Sequence, residues 1–302
     1  MTGDAAPPRT PGPASVRSGD GLLLRVISAA VLAPLAVAAA YAGGWPFALF
    51  WGAAAVAIAY EWLTLTASGR PALAIGLAAL LIAAALAVIG KAVLGAAMIA
   101  CGTAAVALIA AAARRTSREA ALTAAWTAAW IAAGVLYAGA ALVPPVVLRA
   151  DTELGFTAII FLFAIVWTTD IAAYFVGRGI GGPRLWPAVS PNKTWSGAIG
   201  GALGAVAAAC AVASIGLRTG YRANLFAIAG LALLLSAMSQ VGDLFESAVK
   251  RRFGVKDAGH VIPGHGGVMD RLDGFLAAAV VAAVIGIARG GLGAPARGLL
   301  VW

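Results

Sequence analysis

Long apolar stretches separated by short polar segments run along almost the whole chain. A helix that crosses the hydrocarbon core of a bilayer needs about 20 apolar residues. Nine stretches reach or approach that length, so the pattern predicts an all-α polytopic membrane protein with about nine transmembrane helices. The predicted spans are 23–42, 45–66, 71–89, 92–113, 121–148, 155–177, 196–217, 224–246 and 274–289.

The segments around these spans refine the prediction. Pro144 and Pro145 lie near the end of the fifth span, where proline should end or kink a helix. Residues 1–21 are rich in Pro, Gly, Ser and Thr and predict a disordered tail. Because this tail is long and contains Asp4 and Asp20, we expect an uncleaved first span rather than a signal peptide. Three regions follow, namely the cytoplasmic tail 1–21, N-terminal transmembrane helices over 22–150, and a C-terminal transmembrane region over 151–302.

Composition supports a membrane protein and excludes other classes. Hydrophobic residues make up 62% of the 302 residues and charged residues 11%, whereas soluble proteins average about 25% charged residues. Cys101 and Cys210 both lie inside apolar stretches, so no disulfide or metal framework is indicated. A net charge of +9 can indicate nucleic-acid binding. In a membrane chain it is more typical of cationic loops, and we expect no nucleic-acid partner.

The distribution of Lys and Arg predicts the orientation in the membrane. With a cytoplasmic N-terminus, 15 of the 21 cations lie on the cytoplasmic side and 6 lie outside. The opposite orientation inverts this ratio. We therefore expect a multi-pass protein of the plasma (inner) membrane whose N-terminus and two polar loops, before the seventh and ninth spans, face the cytoplasm.

Ionisable residues concentrate in the second half of the chain. Residues 167–273 contain six of the twelve acids and both histidines, His260 and His265. In the first half, Glu61 is the only acid well inside a predicted span. Carboxylates at membrane depth are costly and usually mark a site, so the sequence places the candidate chemistry in the C-terminal half.

Two groups of residues flank the loop before the seventh span. Asp170, Tyr174 and Gly177 share one helical face, which fits either the wall of a site or a buried Asp bonded to a neighbouring helix. Ser190-Pro-Asn-Lys193-Thr194 precedes a helix N-terminus, where hydroxyls, an ammonium and the helix dipole favour an anion. The same residues also fit an ordinary loop, and they form no P-loop pattern. The glycines that follow, Gly197, Gly200, Gly201 and Gly204, indicate close helix packing.

The eighth span ends in a charged face. Asp243, Glu246 and Lys250 share this face. Two carboxylates at this spacing suit a hard cation such as Mg²⁺. A salt-bridge ladder at the end of a helix is the structural alternative.

The loop over 256–273 combines glycines with charged residues. Its Pro-Gly-His-Gly-Gly run permits close approach of the backbone to a ligand, and Asp270 and Asp273 lie one turn apart where the ninth span begins. Two histidines suggest zinc, but no Cys partner or H-E-x-x-H spacing accompanies them. Carboxylates beside many cations fit Mg²⁺ and phosphate groups better.

The residues from Ser247 through Lys250-Arg251, Lys256-Asp257 and His265-Gly-Gly to Asp270-Arg-Leu-Asp273 resemble the signature of the phosphatidate cytidylyltransferases, or CDP-diglyceride synthases. Asp170-x-x-Ala-Tyr-x-x-Gly and Ser190-Pro-Asn-Lys-Thr resemble two further patterns of that family. The resemblance is strong over about 160–285, whereas the N-terminal half matches only as hydrophobic spans. Many members carry Glu where this chain has Ser196, so that position receives no catalytic role.

The resemblance implies that CTP and phosphatidic acid react in the bilayer to give CDP-diacylglycerol and pyrophosphate, with Mg²⁺ and room for a second cation. Asp243 and Asp270 are the expected metal ligands, supported by Glu246 and Asp273. A homodimer is left open. Carried onto this sequence, the expected catalytic residues are Lys250, Arg251, Lys256, Asp257, His265, Arg271 and Asp273; the substrate-binding residues are Asp170, Tyr174, Ser190, Lys193, Thr194, Ser247, Gly266 and Gly267; and the metal-binding residues are Asp243, Asp270 and Glu246.

Two other functions use similar residues. A transporter of an anionic substrate would also carry intramembrane acids, but it should show interrupted helices in two repeated halves, and no such repeat is visible. A CDP-alcohol phosphatidyltransferase would consume the liponucleotide. Its expected Asp-Gly-x-x-Ala-Arg opening is absent, because Asp273-Gly274 does not continue that way. CTP-dependent release of pyrophosphate distinguishes the three.

Overall fold

The computed structural model describes residues 18–66, 118–217, 220–259, 261–262 and 266–302. Over these ranges the chain forms helices joined by short connections and one small antiparallel sheet. The helices are α1 (Ser18–Ala42), α2 (Gly44–Thr66), α3 (Arg118–Arg149), α4 (Gly155–Ile180), α5 (Trp195–Gly216), α6 (Leu225–Arg252), α7 (Met269–Gly290) and α8 (Pro295–Leu300), and the strands are β1 (Arg184–Trp186) and β2 (Ser190–Thr194).

Six helices in the described ranges, α2 to α7, contain segments long and apolar enough to cross a membrane. Helix α1 contains a shorter apolar segment, Ala30–Ala42. The chain is therefore a multi-pass membrane protein, and α1 to α7 correspond to seven of the predicted spans. The predicted spans 71–89 and 92–113 lie outside the described residues. So does most of the predicted tail, although α1 already begins at Ser18.

The structure refines two local expectations. Of the two effects predicted for Pro144-Pro145, an end of the helix is excluded, because α3 continues to Arg149. Val146, Val147 and Leu148 are buried there, so packing holds the last turn in place despite the missing amide donors. The all-α prediction also missed the hairpin of β1 and β2, whose register pairs residue 184 with 194 and residue 186 with 190. Strands this short carry no alternating hydrophobic pattern that could reveal them.

Glycines on α5 bring it into contact with α4, as the sequence predicted. A Cβ atom added at Gly201 would lie 2.7 Å from the Thr169 carbonyl oxygen, and one at Gly197 would lie 2.8 Å from the carbonyl oxygen of Ala173. Side chains larger than hydrogen are therefore excluded along this seam, and the two helices pack backbone against backbone.

Aromatic packing joins the N-terminal helices to the C-terminal ones. The Trp51 ring of α2 stacks on Phe275 of α7 with centroids 4.7 Å apart, and Phe163 of α4 completes the cluster. Near the end of α2, Trp62 Nε1 donates a hydrogen bond of 2.8 Å to the Trp130 carbonyl oxygen of α3. Helices α2 and α3 thus form part of one core with the helices that carry the signature residues.

Polar contacts gather at the two ends of the helix bundle. At one end, Asp151 Oδ1 accepts from the Leu154 amide and Oδ2 from the Arg297 amide, each at 3.0 Å. Arg149 there donates to the Ala40 and Tyr41 carbonyl oxygens. The opposite end contains the C-terminal ends of α2, α4 and α6, the hairpin, and the start of α7. Nearly all candidate functional residues lie at this second end.

Candidate active site

A half-open cavity of about 840 Å³ lies between α4, the hairpin, α5 and α6. Three groups of residues that are far apart in the sequence meet in its wall. They are Asp170, Tyr174 and Gly177 from α4, Ser190, Lys193 and Thr194 from β2, and Asp243 from α6. The structure therefore brings the predicted polar face of α4 and the predicted anion-binding segment into one space.

The hairpin is fixed to the helices by hydroxyl groups. Thr194 is the N-cap of α5, and its Oγ1 accepts a hydrogen bond of 3.1 Å from the Gly197 amide. Ser196 Oγ donates to the Gly181 carbonyl oxygen just after α4. Gly181 adopts φ +66°, which lets the chain turn sharply there. These bonds hold Lys193 at the mouth of the cavity.

An ion pair links the cavity to α6. Lys193 Nζ lies 2.5 Å from Asp243 Oδ2, and both side chains are partly exposed. The pair joins residues predicted for two different tasks, substrate binding for Lys193 and metal binding for Asp243. Phosphate groups and a cation bound at these two residues would therefore be neighbours.

Carboxylates of α6 and α7 face each other beside this ion pair. Asp243 and Asp273 lie within hydrogen-bonding reach of each other, and so do Glu246 and Asp270. Lys250 Nζ lies 2.7 Å from Glu246 Oε2 and 2.7 Å from Asp270 Oδ1. The predicted carboxylates of α6 thus meet carboxylates of α7, and the predicted salt bridge at the end of α6 is present between Lys250 and Glu246. We call these five residues the charged cluster.

The charged cluster offers oxygen atoms that suit a hard cation. Ser239 Oγ and Glu246 Oε1 are buried and have no hydrogen-bond partner in the described part of the protein. A Cβ added at Gly274 would lie 2.6 Å from Ser239 Oγ and 3.0 Å from Asp243 Oδ1, so the α7 backbone lies directly against this face of α6. The donor set fits Mg²⁺ in chemistry. No three His, Cys, Asp or Glu side chains among the described residues are already arranged as a metal site.

Asp270 organises the loop before α7. Its carboxylate accepts hydrogen bonds from the Ala258 amide at 3.2 Å and from the Gly267 amide at 3.0 Å. Ile262 and Gly266 form an isolated antiparallel bridge, and Gly266 adopts φ +87°. Within the described residues, the backbone at Ala258 and Gly267 thus lies against the Asp270 carboxylate, while its approach to a ligand stays a prediction.

The remaining predicted residues are less tightly placed. Arg251, Lys256 and Asp257 are exposed after the charged cluster, and Ser247 is half-buried on α6. Arg271 is exposed at the start of α7, within electrostatic reach of Asp170. His260 and His265 lie outside the described residues.

Two residues of the N-terminal helices reach the site although the sequence analysis gave them no role. Glu61 of α2 accepts hydrogen bonds from backbone amides at the start of α7. The Tyr137 hydroxyl of α3 is buried without a partner in the described part, within electrostatic reach of all four carboxylates of the charged cluster. Glu61 could have been found as an acid inside a predicted span, whereas no feature of the sequence distinguishes Tyr137.

The cavity and the charged cluster thus lie side by side at one end of a bundle of membrane-spanning helices. The chain belongs to the cytidylyltransferase family, whose model matches residues 23–287. This confirms the resemblance drawn from the motifs.

Similar proteins are named phosphatidate cytidylyltransferase. One from Brucella suis biovar 1 (strain 1330) is 44% identical over 267 residues, which cover 88% of this chain and 93% of that protein. One from Brucella abortus biovar 1 (strain 9-941) is 43% identical over the same shares. A protein from Staphylococcus aureus (strain COL) is 43% identical over 122 residues, 40% of this chain and 46% of its own length.

Proposed function

We propose that this chain is a phosphatidate cytidylyltransferase that converts CTP and phosphatidate into CDP-diacylglycerol and pyrophosphate. The observation that carries the proposal is the contact between the cavity and the charged cluster through Lys193 and Asp243. This contact places cations and carboxylates together at one end of a membrane bundle, where a lipid phosphate can meet a nucleotide. Family membership and the relatives' names support the same reaction.

The reaction needs positioning and charge neutralisation more than acid–base chemistry. A phosphate oxygen of phosphatidate attacks the α-phosphorus of CTP, the new P–O bond forms, and the bond to the β-phosphate oxygen breaks to release pyrophosphate. The attacking oxygen is already ionised near pH 7, so no strong general base is required. Bringing two polyanions together is the main obstacle, and cations in a fixed arrangement lower it.

Lys193 and Lys250 are the cations best placed for this task. Each lies 2.5 to 2.7 Å from a carboxylate, so its ammonium is oriented toward the site. We also assign phosphate contacts to Arg271, which is within electrostatic reach of Asp170, and to the exposed Arg251 and Lys256. Ser190, Thr194 and Ser247 would add hydroxyl donors, whereas the amides of Gly266 and Gly267 already donate to the Ile262 carbonyl oxygen and to Asp270.

We assign the divalent cation to Asp243 and Asp270, with Glu246 and Asp273 supporting. When bound, Mg²⁺ would neutralise phosphate charge and orient the nucleotide. The unpartnered Ser239 Oγ and Glu246 Oε1 support an oxygen-ligand site at this position. We also infer that the site faces the cytoplasm, because the end of the bundle that contains it carries most of the described Lys and Arg residues.

The direct test is pyrophosphate release by purified protein in mixed micelles that contain CTP and phosphatidate. We expect release only with both substrates, together with a CDP-lipid product. Diacylglycerol is the matched control, because it keeps the acyl chains but lacks the attacking phosphate. Consumption of CDP-diacylglycerol without CTP would instead indicate a CDP-alcohol phosphatidyltransferase.

The metal assignment has its own test. Asp243→Asn and Asp270→Asn should each abolish turnover, because both changes keep the shape but remove the charge that a divalent cation needs. Asp270 also accepts hydrogen bonds from two backbone amides, so its replacement disturbs the loop as well as the charge. Asp243→Asn is therefore the more specific test of metal binding. The exposed Glu119→Gln serves as the control. Near-normal Mg²⁺-dependent activity of Asp243→Asn would remove this residue from the metal site.

A further inference from the structure

A carboxylate from α2 holds the first turn of α7. Glu61 Oε1 accepts a hydrogen bond of 2.8 Å from the Val268 amide, and Oε2 accepts one of 2.8 Å from the Met269 amide. Val268 is the N-cap residue of α7 and provides no side-chain cap of its own. A helix start leaves its first amides without intrahelical partners. Glu61, more than two hundred residues earlier in the chain, supplies the missing acceptors.

The same carboxylate also lies against the backbone at Gly259 and at Gly267. A Cβ added at Gly259 would lie 2.9 Å from Glu61 Cγ, and one at Gly267 would lie 2.9 Å from Glu61 Oε2. Any larger residue at either position would push the Glu61 side chain away. The Glu61 side chain is therefore enclosed between the backbone at Gly259 and the backbone at Gly267, and only 1% of the residue is exposed.

The backbone amides around the start of α7 donate hydrogen bonds to two different carboxylates. Glu61 takes those of Val268 and Met269, whereas Asp270 takes those of Gly267 and Ala258. Asp270 also pairs with Lys250 in the charged cluster. The backbone that Glu61 holds is thus the backbone that sets the position of the Asp270 carboxylate.

Glu61 has no cationic partner among the described residues, whose ion pairs join Lys193 and Lys250 to other acids. A buried carboxylate without a counter-ion is costly. The two amides and the positive end of the α7 dipole compensate it here. Among the described residues, the favourable contacts of this carboxylate are therefore with the first turn of α7.

We infer that Glu61 is a positioning residue of the active site, which fixes the backbone at Gly259 and at the first turn of α7, and through it Asp270, from the N-terminal half of the chain. It acts through the backbone and touches neither substrate. This inference rests on the proposed function for its effect on catalysis, but the contact itself can be tested without any substrate.

Glu61→Gln is the primary variant. The amide keeps the size of the side chain, but its NH₂ group must face an N–H donor, so one hydrogen bond is lost. We expect kcat to fall about ten- to one hundredfold, the range for losing a hydrogen bond to a charged group. The KM for phosphatidate should change little. Amide hydrogen exchange of a peptide covering 266–272, measured in detergent without substrates, should become faster.

Trp62→Phe is the matched control. It removes a half-buried hydrogen bond from the same helix, between Trp62 Nε1 and the Trp130 carbonyl oxygen, and keeps the Glu61 carboxylate. We expect a comparable loss of thermal stability with no change in exchange over 266–272. A fall in kcat equal to that of Glu61→Gln would show that loss of stability explains both and would overturn the inference.

Gly259→Ala provides a second route to the same contact. The new methyl group would displace Glu61, so kcat should fall, and the effects of Gly259→Ala and Glu61→Gln should be less than additive. Unchanged exchange over 266–272 in Glu61→Gln would refute the structural contact. Faster exchange with unchanged kcat would refute the positioning role. If the wild-type protein releases no pyrophosphate, the proposed function fails, while the exchange experiment still tests the contact.

Discussion

The bridge formed by Lys250 allows a quantitative prediction. Its ammonium lies 2.7 Å from one carboxylate oxygen of Glu246 and 2.7 Å from one of Asp270, and the three side chains are only 12%, 1% and 10% exposed. Lys250→Met keeps the length of the side chain and removes the charge. The two carboxylates, which lie within hydrogen-bonding reach of each other, would then face each other without a cation.

The expected cost follows from these contacts. Removing one partner of a buried ion pair destabilises a protein by about 3–5 kcal/mol, mostly because a charge is left uncompensated. Asp270 keeps the amides of Ala258 and Gly267, which compensate part of its charge. We therefore expect a loss at the lower end, about 3 kcal/mol in the free energy of unfolding. Reversible unfolding by SDS in mixed micelles measures this quantity.

Two further variants make the test specific. Glu246→Gln in the Lys250→Met background removes one of the two facing charges, so it should restore part of the lost stability. Lys256→Met removes an exposed ammonium six residues later and should change the free energy of unfolding by less than about 0.5 kcal/mol. The reasoning is refuted if Lys250→Met is as stable as Lys256→Met, or if Glu246→Gln destabilises it further.

Three other predictions concern substrates, orientation and packing. Lys193→Gln should raise the KM for phosphatidate more than that for CTP, and Arg271→Gln the reverse; an effect of Lys193→Gln on CTP alone would contradict this division. Ala188→Cys, on the exposed hairpin, should resist an impermeant thiol reagent in intact cells and react after permeabilisation; labelling in intact cells would reverse the proposed orientation. Gly201→Val should lower thermal stability strongly, because its Cβ would lie 2.7 Å from the Thr169 carbonyl oxygen; an unchanged melting temperature would rule out the tight seam.

Helical periodicity was enough to predict the parts of the site that lie on single helices. The spacing of Asp170, Tyr174 and Gly177 placed them on one face, and all three line the cavity. The glycines of α5 correctly predicted close packing, because small residues at this spacing leave few alternatives inside a bilayer. The roles of these residues in catalysis stay predictions.

The hydrophobic pattern of the sequence could not predict contacts between helices that are far apart along the chain. Glu61 was visible as a lone acid in a span, but only the packing of α2 against α7 shows that it meets Val268 and Met269. The position of the Tyr137 hydroxyl could not be predicted either, because a tyrosine in an apolar helix has no distinguishing neighbours in the sequence. The hairpin was missed because its strands are too short for periodicity to appear.

The glycine seam between α4 and α5 also restricts how substrates can enter and leave. Where two backbones touch, sliding one helix along the other drives carbonyl oxygens into Cα atoms, so this wall of the cavity moves as one body. On the other side, α6 meets the hairpin through the ion pair of Lys193 and Asp243, so we expect opening there. Breaking one ion pair is a small local event, and the traffic of lipid and nucleotide would be gated there rather than by rearrangement of the bundle.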